Sequence, residues 1–260
     1  NKLTAAQSNG DIPSSYVSQD FSGTGLETGT EHGTAVAEAV YDVAPQAQFY
    51  FYKIEDLTDF ENAKNACKTN GVQIVNHSMG WFNTGGYYDG TGSACNIASD
   101  AITNGILWVN AAGNSAEKHY RATFVDNGSG YHSFGVGASV NPIGPDPTSA
   151  WYHNVGEVIT ICMNWNNYPI TDQDYDLYLY RYTGTYWTSV SSSTRRQTGS
   201  ISPEESISYT NSTANGMYGI RVRKYSATTN VDFTLFSLGK SIGYRTNASS
   251  LTDPATVTDV

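Results

Sequence analysis

Charge is scarce in these 260 residues: 15% are Asp, Glu, Lys or Arg, and the 24 acids outnumber the 14 bases, for a formal net charge of -10. That balance repels a polyanion and excludes nucleic acid as the expected partner. Cysteine is scarcer still. Cys67, Cys95 and Cys162 are an odd number, so pairing within the chain would leave at least one thiol free, and no dense disulfide framework is readable. No apolar run approaches the roughly 18 residues of a membrane span, and no basic-then-apolar signal segment opens the chain. An initiator methionine is also missing at Asn1, which gives the expectation of a processed or excised piece of something longer. Gly, Tyr, Ser, Thr and Asn are plentiful, as suits an extracellular protein, and 39% hydrophobic residues suffice for one large core or two ordinary ones.

Residues 1–30 are rich in Gly, Ser and Thr with little periodicity and read as loop. From His32 onward Val36, Ala37, Val40 and Tyr41 recur at helical spacing, and Pro45 ends that helix before the apolar run Phe49-Tyr50-Phe51-Tyr52. Thr58 is placed to cap a second helix carrying Phe60, Ala63, Ala66 and Cys67, after which Asn70-Gly71 turns the chain into the strand 73–76. A third helix with Ile97, Ala98, Ala101 and Ile102 ends at Gly105, before the short strand 106–109. Strands alternating with helices predict an α/β fold with a parallel, doubly wound sheet. Such a sheet binds ligands at the carboxyl ends of its strands.

Beyond about residue 148 the pattern changes. Pro142, Pro145 and Pro147 break the chain, and the apolar runs that follow are all strand-like: 155–165, 176–182, 206–209, 218–223 and 231–236. Ile207 with Tyr209, Ile220 with Val222, and Phe233 with Leu235 each put a pair on one strand face, which predicts two packed antiparallel sheets. The expected organisation is an α/β core portion over 1–148, an inserted all-β sandwich over 149–240, and a return segment over 241–260.

Glu31-His32-Gly33-Thr34-Ala35-Val36-Ala37-Glu38 and Trp108-Val109-Asn110-Ala111-Ala112-Gly113-Asn114-Ser115 together resemble the histidine and oxyanion blocks of the subtilisin-like serine peptidases. The resemblance implies an incomplete subtilisin-like sheet, peptide-bond hydrolysis of protein or peptide substrates, secretion, and no required cofactor. On it, His32 is the general base and acid that takes the nucleophile's proton and returns it to the leaving amine. Asn114 is the side-chain donor to the oxyanion. Ser78, Met79 and Gly80 form one wall of the substrate cleft and Ala111, Ala112 and Gly113 the other, so His32 and Asn114 are expected to converge on one groove. The plain alternatives are a capping histidine and an ordinary Gly113-Asn114 turn.

Two of the family's motifs are not found. Its aspartate ends an apolar strand, whereas Asp20 follows the polar run 14–19 and Asp11 lies in a Gly-Asp-Ile-Pro turn. Its serine opens a helix after the oxyanion block, whereas Gly90-Thr91-Gly92-Ser93 comes before that block and reads as a loop. The expectation is that both motifs flank residues 1–260 and that this chain alone is inactive. The sedolisins use a Glu-x-x-x-Asp pair on this helix, a spacing shared by Glu38 and Asp42, but His32 stands where their glutamate should be.

The β portion resembles the prepeptidase C-terminal domains of secreted peptidases through Trp165, Asp174-Tyr175-Asp176-Leu177-Tyr178-Leu179, Pro203-Glu204 and Tyr218-Gly219-Ile220. Asp172, Asp174 and Asp176 alternate along one strand, where they would either share a face and hold calcium through oxygen ligands or serve as plain turn residues. The rival to the enzyme is a degenerate, non-catalytic subtilase scaffold whose β-sandwich offers a ligand surface through aromatics such as Trp187.

Overall fold

The computed structural model describes residues 2–144 and 152–258, so Pro145, Pro147 and the expected boundary near residue 148 lie outside the described residues. The chain is mixed α/β with several sheets, and it divides into two compact units.

The first unit comprises Asn1–Gly80, Ser93–Ala111 and Val257–Val260. Its elements run α1 (Leu3–Asn9), β1 (Val17–Asp20), α2 (His32–Val43), β2 (Tyr50–Lys53), α3 (Leu57–Thr69), β3 (Ile74–His77), α4 (Ser93–Thr103) and β4 (Leu107–Asn110). β1 pairs with β2 and β3 with β4, both in parallel. A single doubly wound sheet was expected; the described residues show two separate parallel pairs.

Three expectations need correction. Residues 1–30 are not all loop: α1 ends at Gly10, whose φ of +85° suits glycine and whose N–H returns to the helix, while Leu3 and Ala6 pack with Ile12 and Ala37. β1 escapes a hydrophobicity-based reading because its side chains Val17, Ser18 and Gln19 are exposed, and the backbone ladder to β2 holds it. The third concerns α3, which is capped by Asp56 and not Thr58. The Asp56 side chain accepts from the Asp59 N–H and Asp59 answers the Asp56 N–H, closing a capping box.

α4 buries Ala94, Cys95, Ile97, Ala98 and Ala101 along one face. Ser93 is its first helical residue, so the stretch read as loop does lead into a helix. Lys64 of α3 lies 2.5 Å from Asp100 of α4, and Lys68 shares the same carboxylate at 3.0 Å. Ile74, Leu107 and Val109 remain 61%, 57% and 45% exposed on the β3–β4 pair.

The second unit comprises Trp81–Gly92 and Ala112–Thr256. It contains β5 (His119–Thr123), β6 (Asn141–Ile143), β7 (Tyr152–His153), β8 (Val158–Trp165), β9 (Asp174–Tyr182), β10 (Trp187–Ser193), β11 (Glu204–Thr210), β12 (Gly216–Ser226) and β13 (Asp232–Ser237). One antiparallel sheet has the order β10-β9-β12-β6, with β7 also on β12; the other has the order β11-β8-β13-β5. Side chains from both sheets enter one buried cluster, including Ile161, Met163 and Trp165 of β8, Leu177 and Leu179 of β9, Val222 of β12 and Leu235 of β13. The segment after β13 is tied to this unit through the Gly144 N–H to Ser241 carbonyl bond and the Trp81–Asp253 bridge.

Candidate functional site

In the first unit the chemistry-bearing groups stand where parallel strands end and a helix begins. α2 starts at His32, whose backbone N–H is taken by the Thr30 hydroxyl at 3.1 Å. The exposed imidazole places Nε2 3.0 Å from the carbonyl oxygen of Ser78, the residue just after β3. A carbonyl only accepts, so Nε2 carries the proton in this contact.

The ends of β3 and β4 are fixed by a polar network. His77 Nδ1 donates to Asn110 Oδ1 at 2.6 Å, and Trp108 Nε1 donates to the same oxygen at 3.3 Å. The Asn110 amide donates in turn to the carbonyls of Met79 and Ala111. Ala111 N–H bonds back to the His77 carbonyl at 3.1 Å. His77 is stacked on Phe60 at 4.7 Å, and burial pushes its pKa down to about 4, so at neutral pH it is an uncharged packed side chain and not a second base.

Asp20 ends β1, a position the polar sequence before it concealed. Its carboxylate accepts from the Ser22 hydroxyl at 2.7 Å and from the N–H groups of Ser22, Gly23 and Gly25. The Ser22 hydroxyl is the largest cause holding this carboxyl below its ordinary pKa, with the Gly25 and Ser22 N–H groups adding to it against desolvation. Lys53 of β2 secures the following loop by donating to the Gly25 carbonyl at 2.9 Å. The signal that could have placed Asp20 at a strand end was the Ser22-Gly23-Thr24-Gly25 turn chemistry after it, not hydropathy before it.

The remaining expected cleft residues fall as follows. Ser78 is half-buried with its hydroxyl accepting from Asn76 at 3.0 Å, and Met79 and Gly80 are exposed. Ala111 closes the first unit, while Ala112, Gly113 and Asn114 open the long stretch of the second and are exposed there. Gly113 has φ of +90°, a left-handed conformation that favours glycine. Asp42 is exposed on α2 and Glu38 is half-buried.

The three aspartates expected to share calcium do not form one ligand set. Asp174 and Asp176 line one cavity, whereas Asp172 lines another with Asn166, Tyr168 and Thr171 and is occupied by the Gln173 amide at 2.6 Å. Among the described residues no group of three His, Cys, Asp or Glu side chains is arranged to hold a metal ion. None of the three cysteines is in a disulfide and all are buried, and desolvation pushes the Cys67 and Cys162 thiols up to about 11, which keeps them protonated.

A helix whose first residue is a histidine, set against the carboxyl end of a parallel strand, lies where open α/β sheets place ligands. The chain belongs to the subtilase family of serine peptidases: the family's model, described as peptidase S8, matches residues 8–240. A search of curated proteins finds no match. Among solved structures, the mitogen derived from Yersinia pseudotuberculosis is similar at 18% identity and a TM-score of 0.30, covering 46% of this chain and 81% of that one. A likeness of that size carries no argument about this chain. Peptidases act on proteins, and among the described residues no helix is long and apolar enough to cross a membrane.

Proposed function

We propose that this chain supplies the histidine, oxyanion donor and substrate-strand portion of a secreted subtilisin-like serine endopeptidase, and that residues 1–260 alone do not hydrolyse peptide bonds. His32 is the general base and acid. Asn114 donates to the oxyanion, a contribution whose removal costs roughly 100-fold to 1,000-fold in turnover. Ser78 to Gly80 and Ala111 to Gly113 bind the substrate backbone. The observation that carries the reading is the imidazole of His32 held at the helix start, with Nε2 3.0 Å from the Ser78 carbonyl.

Asp20 ends β1, but its carboxylate is taken up by Ser22, Gly23 and Gly25, so the orienting acid is not counted among the parts present in the chain. The nucleophile is not among them, because Ser93 opens a helix that precedes the oxyanion block. The Nε2–H tautomer also supports inactivity, since a general base must accept the nucleophile's proton at the nitrogen that here donates to Ser78.

The test is fluorophosphonate labelling of residues 1–260 beside a longer product of the same reading frame. The expected result is an unlabelled short chain and, in the longer one, a single labelled serine within a downstream Gly-Thr-Ser block, lost in His32→Ala. Labelling of the short chain would refute its inactivity. A longer frame without a labelled serine would sink the enzyme reading and leave the non-catalytic scaffold.

A further inference from the structure

The antiparallel unit holds a cavity of about 290 Å³ lined by Asp174, Asp176, Tyr178, Thr194, Arg196 and Tyr225. Strand alternation builds it. Tyr175, Leu177 and Leu179 of β9 enter the buried cluster, so Asp174, Asp176 and Tyr178 belong to the opposite face of the strand. The pairing of β12 with β9 shifts register between Lys224 and Ser226, and the extra residue at that bulge is Tyr225, 47% exposed at the cavity rim. Bulges re-aim side chains in this way beside binding sites.

Asp174 and Asp176 are each only 3% exposed. Asp176 is satisfied, accepting the Tyr178 hydroxyl at 3.0 Å. Asp174 is not: its Oδ1 has no hydrogen-bond partner among the described residues. Burying an acceptor without a donor costs about 1–3 kcal/mol, more for a charged one, so this oxygen stands ready for a donor from outside the chain. Burial lifts the Asp174 carboxyl above its ordinary pKa, against the pull of the Gln197 backbone N–H and the Arg196 charge. A ligand donor would ease that desolvation.

The neighbours decide what kind of donor. Arg196 lines the same cavity, with its guanidinium 5.4 Å from the Tyr225 ring and its Nη2 3.4 Å from the Tyr225 hydroxyl. Arg223, paired across the sheet with Asp176, has its guanidinium 5.2 Å from the same Tyr225 ring. Two guanidiniums repel an ammonium or guanidinium ligand, and the carboxylates repel an anion. A neutral molecule carrying several hydroxyls meets both needs, donating to Asp174 while accepting from Arg196 and the Thr194 hydroxyl. We propose that this cavity is a saccharide-binding site, with Asp174 as the buried acceptor, Arg196 and Thr194 as rim donors and Tyr225 as the aromatic wall.

The site is independent of the peptidase reading, and its test uses the 260-residue chain. Calorimetric titration with maltotriose, cellotriose and chitotriose at pH 7 should show at least one binding with Kd at or below about 1 mM. Asp174→Asn and Tyr225→Ala should each weaken that binding about tenfold, a loss expected for one hydrogen bond to a charged group or one ring contact. Tyr186→Ala, at a 63% exposed tyrosine that does not line the cavity, should leave it unchanged. Near-UV circular dichroism matching the parent confirms that each variant is folded. The proposal is overturned if none of the three sugars binds up to about 10 mM. It is equally overturned if binding ignores both cavity substitutions, or if acetyl-lysine amide binds in an Asp174-dependent way and the sugars do not.

Discussion

His32 Nε2 donates to the carbonyl oxygen of Ser78 across 3.0 Å, joining the first residue of α2 to the residue that follows β3. The neutral ring therefore has its free lone pair on Nδ1, the reverse of the tautomer a serine peptidase needs at rest. Nitrogen-15 spectra of the chain near pH 8 should show His32 as the Nε2–H form. An Nδ1–H form would mean that an acid already orients the ring.

Asn110 does more for the ends of β3 and β4 than its neighbours' hydrophobicity suggests, since one side chain serves His77, Trp108, Met79 and Ala111. Asn110→Ala removes the acceptor for the buried His77 Nδ1 and should cost the first unit about 1–3 kcal/mol in urea unfolding. Amide exchange at Ala111 should accelerate with it. An unchanged midpoint would show that the network holds nothing in place.

Acid should destabilise both units before any carboxylate titrates in its usual range. Burial depresses His77 in the first unit and His132 in the second to about 4, from an ordinary 6.5. His132 is further committed to its neutral form, because Nδ1 accepts the Val125 N–H at 3.0 Å and Nε2–H faces the Tyr120 hydroxyl at 2.9 Å. With folded values lowered, the unfolded chain takes up protons first. The stabilisation is complete above pH 6.5 and is lost as pH falls towards 4, by up to about 3 kcal/mol for each histidine. Unfolding midpoints measured from pH 8 to pH 4 check this; midpoints flat across that window would contradict it.

Leu177 is fully buried in the cluster shared by the two antiparallel sheets. Leu177→Ala should cost that unit about 2–5 kcal/mol through lost burial and the void left behind. Fluorescence of Trp165, buried in the same cluster, reports the transition. A loss well under 1 kcal/mol would mean that the sheets close over the gap.

Where side-chain burial and periodicity coincide, the fold was legible. Phe49 to Tyr52 announced β2, Val36 to Tyr41 announced α2, and Phe233 with Leu235 marked β13. β1 and β10 were missed for one shared reason: Val17-Ser18-Gln19-Asp20 and the serine-rich run 187–193 are held by backbone ladders and carry few apolar side chains. The same blindness hid the position of Asp20 at a strand end. The spacing of Asp172, Asp174 and Asp176 suggested one face, but β9 begins only at Asp174, so the strand geometry never reaches Asp172. The start of α2 at His32 was legible because helical spacing begins there.

Ile74, Leu107 and Val109 give the β3–β4 ribbon an oily outer side. In concentrated solution that strip will make this polypeptide adhesive, and handling it will call for low protein concentration or a mild detergent. Replacing Ile74 and Leu107 with threonine, which keeps the β-branched or extended habit while wetting the surface, is the simplest route to a well-behaved sample.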